Sequence, residues 1–276
     1  MDRVNPNQPL FSVVTPALNC AKYLERNIES VKSQGFGPEQ VEHWIIDGDS
    51  TDETVALLKS RTDVRWTSEP DRGLSDAVNK GIQRSSGLWI AWLNADDLFA
   101  PGALAAVREH ALRFPDVRVF CGDQVILRYD GTQEQVVRGW PYTFDDLLAR
   151  NPSINQASTF VHRDAVAKVG ILDVSILDAM DYEWMVRIAR EFRCVYIPQV
   201  LSLYQRRAGS IMDAHTASFY RTFRAVRRRY GRSRREPLEW LIAAYLATEP
   251  LRRVRWLRRG VRWVKRQTGF EPLHPA

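Results

Sequence analysis

Short apolar, β-branched runs alternate with helical patterns through the first half of the chain, and this alternation constrains the fold most. The runs predict five strands, at residues 11–15, 42–46, 64–67, 88–93 and 117–121. Between them, the apolar side chains recur every three or four positions and predict helices at residues 21–34, 52–59 and 75–83. Such alternation favours an α/β fold with a mostly parallel central sheet flanked by helices.

The second half of the chain is less regular. Residues 123–137 fit a hairpin that turns at Asp130-Gly131. Further helices are predicted at residues 144–150, 164–169 and 181–191, and short strands at 195–197 and 201–204. From residue 217 onward the pattern is helical and basic.

Composition excludes several classes of protein. Apolar residues make up 45% of the 276 residues and charged residues 26%, which is typical of globular rather than disordered or fibrous chains. The apolar runs are far shorter than the roughly 20 residues that cross a bilayer. Three widely spaced cysteines without a CxxC pattern argue against a disulfide framework or a zinc site. With an N-terminus unlike a signal peptide, these features predict a cytoplasmic protein.

The positive charge is concentrated near the C-terminus. Residues 221–266 contain 16 Lys and Arg against three Glu, a net charge of +13. The other residues hold 23 basic and 30 acidic side chains, a net charge of −7. An acidic body with a basic extension indicates a catalytic or binding domain that carries a docking segment.

Polar clusters follow the predicted strands at the points where the strands end. Asp47 opens the first cluster, residues 47–52, and suits either a capped turn or hydrogen bonds from a ribose or a base. In the second cluster, residues 69–81, Arg72 could bind an anion, and Asp76 and Asn79 lie on one helix face. A capped amphipathic helix is the alternative explanation of this cluster.

The third cluster, Asn94-Ala95-Asp96-Asp97, comes directly after an apolar strand. Adjacent carboxylates suit a hard divalent cation that takes further ligands from substrate phosphates, and a polar turn is the alternative. Farther along the chain, Asp181 stands at the start of a predicted helix and fits either a helix cap or a general base.

In their order and spacing, these clusters resemble those of family 2 glycosyltransferases with the GT-A fold. The resemblance rests on Thr15-Pro16 with Asn19 and on residues 46–52, 69–81 and 87–97, and weaker similarity continues to about residue 210. It implies a GT-A domain over residues 1–215, with a nucleotide-binding half at about 10–115 and an acceptor half at about 116–215. A basic amphipathic helical extension would follow over residues 216–276.

The resemblance implies an inverting transferase that moves a sugar from a UDP-, GDP- or dTDP-linked donor to a glycan or lipid-linked acceptor hydroxyl. Asp181 would be the catalytic base, and Asp96, alone or with Asp97, would bind Mn²⁺ or Mg²⁺. Residues expected around the donor are Thr15, Pro16, Ala17, Asn19, Asp47, Asp49, Arg72, Asp76, Asn79, Asn94 and Ala95. Residues expected on the acceptor or phosphate side are Gln156, Glu183, Trp184 and Arg207, although Trp184 also fits the core.

Three positions depart from the family pattern. Asn94 replaces the first aspartate of the DxD motif, and Gly48 stands where many relatives have a second aspartate. Arg207 takes the place of a histidine near the metal, so either it meets the pyrophosphate or this region is only distantly similar. A non-catalytic nucleotide-sugar-binding scaffold at the membrane is therefore the alternative function. A nucleotidyltransferase is not favoured, because its glycine-rich loop after the first strand is absent.

Residues 251–266 predict a basic amphipathic helix with tryptophans at its edge. Such a helix fits the anionic inner face of a cell membrane, and a helix packed on the domain is the alternative. Nucleic-acid binding is not expected, because the extension lacks a recognised reading module. The sequence thus predicts a peripheral membrane enzyme of cell-surface polysaccharide or glycolipid synthesis.

Overall fold

The computed structural model describes residues 8–128, 130–149, 154–206, 216–232 and 237–247. The chain divides into two compact units. The first, here called the body, comprises Met1–Phe144 and Ile154–Arg207, and the second, the C-terminal unit, comprises Asp145–Ser153 and Ala208–Ala276.

The described residues contain nine strands and nine helices. The strands are β1 (Phe11–Ala17), β2 (Val41–Asp47), β3 (Arg65–Ser68), β4 (Trp89–Trp92), β5 (Leu98–Phe99), β6 (Val119–Leu127), β7 (Gln133–Val137), β8 (Thr159–His162) and β9 (Cys194–Gln205). The helices are α1 (Ala21–Lys32), α2 (Thr54–Lys59), α3 (Leu74–Arg84), α4 (Ala103–Arg113), α5 (Phe144–Ala149), α6 (Arg163–Val169), α7 (Met180–Glu191), α8 (Thr216–Arg229) and α9 (Pro237–Ala247). A 3₁₀ turn spans Gln156–Ser158.

The strands described form one mixed sheet in the order β3-β2-β1-β4-β8-β6-β9-β5, with β7 paired to β6. β1 to β4 are parallel, as the sequence predicts for the first half of the chain. The second half adds antiparallel pairs of β8 with β4 and with β6, of β7 with β6, and of β5 with β9. The sheet is therefore less parallel overall than the strand–helix alternation indicates.

Helices α1 and α3 cover opposite faces of the parallel strands. Leu24 and Ile28 of α1 pack with Ile45 of β2. On the other face, α3 approaches so closely at Gly81 that a Cβ there would clash with Val14 of β1. Because neighbouring residues of a strand point to opposite faces, the apolar runs of β1 and β2 are buried on both sides.

The strand β9 is continuous where the sequence predicted two short strands. Its register against β6 shifts on both sides of Asp123, and the extra residues of β9 lie near Pro198. A bulge of this kind accommodates proline without ending the strand. The short strands β5 and β8 were not predicted.

The C-terminal unit pairs α8 with α9 around one buried carboxylate. Glu239 is 1% exposed, and its oxygens lie 3.1 Å from Nε of Arg224, 3.1 Å from Nε of Arg227 and 3.3 Å from Nη2 of Arg228. Three cations around one anion leave an excess of positive charge on these helices. None of the helices described is long and apolar enough to span a membrane.

Candidate active site

The carboxyl ends of the parallel strands β1 to β4 meet at one edge of the sheet. Ala17, the last residue of β1, lies opposite Asp47, and Asp47 lies opposite Ser68 of β3. Across β1, the backbone N–H of Leu93 donates to the carbonyl of Val14 at 3.0 Å. The loops that follow the four strands therefore lie side by side. Parallel sheets bind ligands at such an edge.

Asp47 is fully buried and organises this edge. Its Oδ2 accepts hydrogen bonds from the backbone N–H of Ser50 at 3.1 Å and from the hydroxyl of Ser68 at 2.6 Å. Its Oδ1 accepts from the Ser50 hydroxyl. These bonds tie the loop after β2 to the end of β3, a structural role that was not predicted, and the donor contact of Asp47 stays a prediction.

Asn19 joins the loop after β1 to the loop after β2. Its Oδ1 accepts from the backbone N–H groups of Thr51 at 2.9 Å and Asp52 at 3.3 Å, and its own N–H donates to Ser50 Oγ at 2.7 Å. Asn19 and Asp49 have φ angles of +49° and +68°, in the left-handed region that Asn and Asp tolerate best after glycine. Asp49 leaves an exposed carboxylate at this edge.

Arg72 and Asp76 form an ion pair at the start of α3. Nη2 of Arg72 lies 2.7 Å from Oδ1 of Asp76, and the backbone N–H of Arg72 donates to Oδ2 at 3.1 Å. The Arg72 side chain lowers the pKa of the Asp76 carboxyl. Because the Arg72 side chain is 72% exposed, it is accessible to the anionic ligand that the sequence predicts.

Asn79 is buried and joins α3 to the segment that precedes α7. Its amide donates to the carbonyl of Leu172 at 2.9 Å and accepts from the Leu172 N–H at 2.9 Å. Nearby, the Ser75 hydroxyl donates to the carbonyl of Ile176 at 3.4 Å. With both ends of its amide engaged, Asn79 fastens the segment that leads to Asp181, and its donor contact stays a prediction.

Asp96 is the accessible carboxylate of the loop after β4. Asp96 is half-buried, whereas Asp97 is 1% exposed and its Oδ2 accepts from Nδ2 of Asn94 at 3.2 Å. Asn94 also accepts from the indole N–H of Trp92 at 2.8 Å, and Ala95 packs in the apolar core. Asn94 therefore braces the loop, and a cation would bind to Asp96 rather than to the inward-facing Asp97.

The side chains that could act as metal ligands at this edge fit a cation that is bound largely by substrate. Within the described residues, no three His, Cys, Asp or Glu side chains form a cluster that could hold a metal by themselves. Mg²⁺ and Mn²⁺ are commonly held by one or two carboxylates together with substrate phosphates. Asp96 supplies such a carboxylate, with the exposed Asp49 and Arg72 at the same sheet edge.

The end of β1 is buried beneath α1. Thr15 is 0% exposed, and its hydroxyl lies 2.8 Å from Nε2 of His43 and 3.4 Å from Oδ1 of Asn27. The Thr15 hydroxyl is thus used inside the fold, and the donor contact of this residue stays a prediction. Pro16 and Ala17 are also buried, at the last two positions of the strand.

Asp181, the predicted general base, lies at the start of α7. It is half-buried, and burial raises the pKa of its carboxyl above the ordinary value. Its Oδ1 accepts from the backbone N–H of Tyr182 at 2.8 Å. A carboxylate with a raised pKa retains a proton more strongly, which suits a general base.

Two residues predicted near the acceptor are buried. Glu183 is 1% exposed, and both its oxygens lie 3.0 Å from Nε of Arg187. Trp184 is 3% exposed and donates to the carbonyl of Gly170 at 3.0 Å. This burial favours the core alternative for Trp184, and the acceptor contacts of both residues stay predictions.

Gln156 lies beside the end of β4, where its amide donates to the carbonyl of Trp92. This position is next to the loop that carries Asp96, on the side where β8 extends the sheet. Arg207 and the predicted basic helix at 251–266 lie outside the described residues.

The sequence pattern of glycosyl transferase family 2 matches residues 12–169, more than half of the chain. The chain belongs to this family. Its members are sugar-transferring enzymes, and the matched segment contains the first four strands and the loops described above. The GT-A resemblance deduced from the loop residues is thereby confirmed at the level of the family.

Relatives of known sequence agree with this assignment. An uncharacterised glycosyltransferase of Mycobacterium tuberculosis is 31% identical over 188 residues, which cover 66% of this chain and 69% of the relative. A PGL/p-HBAD biosynthesis glycosyltransferase of Mycobacterium bovis is 28% identical over 188 residues, covering 65% and 69% of the two chains.

Solved structures share the fold. S. aureus TarS (1–349) in complex with UDP-GlcNAc superimposes with a TM-score of 0.60 at 15% identity, over 78% of this chain and 65% of that one. The mannosyltransferase PcManGT from Pyrobaculum calidifontis, in complex with GDP-Man and Mn²⁺, gives a TM-score of 0.57 at 19% identity, over 77% and 61%. The chain thus spans less than two thirds of either solved chain.

Proposed function

We propose that this member of family 2 is a metal-dependent, inverting glycosyltransferase that uses a nucleotide-diphosphate sugar. The observation that carries the proposal is the accessible Asp96 at the end of β4, on the sheet edge where the loops after β1, β2 and β3 also lie. Two solved neighbours that bind UDP-GlcNAc and GDP-Man support a donor of this class.

Each residue has a role that its surroundings support. Asp96 would hold a divalent cation bound to the donor diphosphate. When bound, such a cation neutralises negative charge on the departing nucleoside diphosphate. Arg72, exposed at the start of α3, would contact donor phosphate from another loop of the same edge.

Asp181 would take the proton of the acceptor hydroxyl as that oxygen attacks the anomeric carbon. The bond from the anomeric carbon to the diphosphate oxygen breaks on the opposite face, which inverts the configuration. No covalent enzyme intermediate is required. A positioned base of this kind accelerates transfer by about 10²–10⁴-fold.

We further propose a role in the synthesis of a cell-surface polysaccharide or glycolipid at the inner face of the membrane. The mycobacterial relative named for PGL/p-HBAD biosynthesis supports this class of product. The charge of +13 over residues 221–266 and the excess of arginines around Glu239 support attraction to anionic lipid. Trp240, 69% exposed on α9, suits the lipid–water boundary.

The enzymatic proposal is tested by nucleotide release from UDP-, GDP- and dTDP-linked sugars, with and without Mn²⁺. We expect turnover of one donor class that requires the cation. The Asp96→Ala variant should lose it, while Asp116→Asn, which removes an exposed carboxylate of the body, should retain it. Donor binding without turnover of any donor would instead support the non-catalytic scaffold.

A further inference from the structure

Helix α1 carries one buried amide that holds the loop of Asp96 in place. Asn27 is 0% exposed, and its Nδ2 donates to the carbonyl of Asn94 at 2.9 Å and to the carbonyl of Asp97 at 2.8 Å. These two carbonyls lie on either side of Ala95-Asp96. One rigid amide group therefore fixes the separation of both ends of the segment that presents the Asp96 carboxylate.

The amide of Asn27 is itself oriented by a chain of buried polar groups. Thr15 donates its hydroxyl proton to Oδ1 of Asn27 at 3.4 Å, and Nε2 of His43 lies 2.8 Å from the same hydroxyl. Burial lowers the pKa of His43 to about 3, so the ring is neutral at physiological pH.

Two further side chains, one in α1 and one in the turn that follows it, hold the continuation of the loop. Ser30 Oγ of α1 accepts from the backbone N–H of Phe99 at 3.1 Å. Gln34, two residues after the end of α1, donates to the carbonyl of Ala100 at 3.0 Å and accepts from the N–H of Leu104 at 3.2 Å. Helix α1 and the turn after it therefore support the chain from the end of β4 to the start of α4.

We propose that Asn27 is a positioning residue that sets the affinity of Asp96 for a divalent cation bound to nucleoside diphosphate. This inference rests on the proposed function, since it needs the cation at Asp96. Side chains that orient a metal ligand without touching the metal alter metal affinity by about 10- to 100-fold when they are replaced. Asn27 acts on its ligand through the two backbone carbonyls that flank Asp96.

The chain offers a matched control for this role. Asn155 is also buried, at 6% exposure, and its Nδ2 also donates to two backbone carbonyls, those of Gly122 and Val137, each at 3.0 Å. Replacing either asparagine by leucine leaves two buried carbonyls without these donors. Asn27→Leu and Asn155→Leu should therefore both lower the melting temperature, and only Asn27→Leu should affect the cation.

The measurement is Mn²⁺ binding to the full chain in the presence of UDP, GDP or dTDP, monitored through the paramagnetic resonance of free Mn²⁺. We expect the Mn²⁺ dissociation constant to rise about 10-fold or more in Asn27→Leu and to stay within about twofold of wild type in Asn155→Leu. Thr15→Val removes the hydroxyl beside Oδ1 of Asn27, which is also the partner of Nε2 of His43. It should weaken Mn²⁺ binding by a smaller factor and decides the question if Asn27→Leu does not fold.

Wild-type Mn²⁺ affinity in Asn27→Leu, or in Thr15→Val where Asn27→Leu does not fold, would overturn the inference while leaving the proposed function intact. Equal loss of affinity in Asn27→Leu and Asn155→Leu would also overturn it, because the effect would then follow stability alone. Wild-type protein that binds none of the three nucleotides with Mn²⁺ would overturn the proposed function itself, and this inference with it.

Discussion

At the scale of single residues, the protonation of Asp181 decides when the proposed reaction proceeds. Burial raises the pKa of this carboxyl above its ordinary value of 3.8, and only the deprotonated form can take a proton from the acceptor. We therefore predict that kcat/KM falls as pH decreases, with an apparent pKa higher than 3.8. A rate that stays constant from about pH 7 down to about pH 4 would contradict this role.

The burial of Asp181 also predicts that Asp181→Asn does not destabilise the protein at neutral pH. A carboxyl whose pKa is raised by folding stabilises the fold while it is protonated, and this stability is lost as pH rises through the folded-state pKa. At neutral pH, burying the charged carboxylate therefore lowers the unfolding free energy of the wild type. Asparagine removes this loss, and its amide oxygen can still accept a hydrogen bond from the N–H of Tyr182. We predict that Asp181→Asn is inactive, and that its melting temperature at pH 7, measured by calorimetry, is at least as high as that of wild type. A lower melting temperature would contradict the burial cost.

At the scale of elements, one buried carboxylate joins the amino ends of three strands. Glu42 of β2 is 3% exposed and accepts from the Ser12 hydroxyl at 2.7 Å and the Gly87 N–H at 3.0 Å, as well as from the N–H of Ser86. Burial alone would raise the pKa of Glu42, but these hydrogen bonds more than offset it and lower the pKa. Glu42 thus fastens β2 to the segments that begin β1 and β4.

The Glu42→Gln variant tests this arrangement. A glutamine presents N–H groups to donors, so we expect a loss of unfolding free energy on the order of 3 kcal/mol near pH 7, measured by urea titration. Because folding lowers the pKa of Glu42, its contribution is present above pH 4.5 and is lost as pH falls through the folded-state pKa. The difference between variant and wild type should therefore shrink in acid. A constant difference would contradict the ionic role.

The elements and sites that could be predicted are those with a local signal. β1, β2 and β4 are marked by apolar runs between turn residues, and Asp96 is marked by its position at the end of such a run. The roles of Asn27 and Glu42 could not be predicted from local sequence. The two loop carbonyls that Asn27 binds lie 67 and 70 residues away, and the partners of Glu42 in the segments that begin β1 and β4 lie 30 to 45 residues away. Buried polar residues inside apolar patterns are the signal that could have indicated them.

At the scale of the whole molecule, the basic C-terminal unit gives the chain an uneven charge. Each basic residue near an anionic surface contributes about 1 kcal/mol, and salt screens the attraction. We predict that the full chain sediments with vesicles of phosphatidylcholine and phosphatidylglycerol, less so at high salt, and not with phosphatidylcholine alone. Equal binding to both vesicles, or binding to neither, would contradict the charge-based attachment.

The proposed function requires that the loops after β1 to β4 form one donor site completed by a cation at Asp96. The decisive measurement is calorimetric titration of UDP, GDP and dTDP into the full chain, with and without Mn²⁺. We expect that one nucleotide binds, that Mn²⁺ strengthens its binding, and that Asp96→Ala removes the effect of Mn²⁺ while Asp116→Asn does not. An unchanged Mn²⁺ effect in Asp96→Ala would show that the cation is not bound by Asp96.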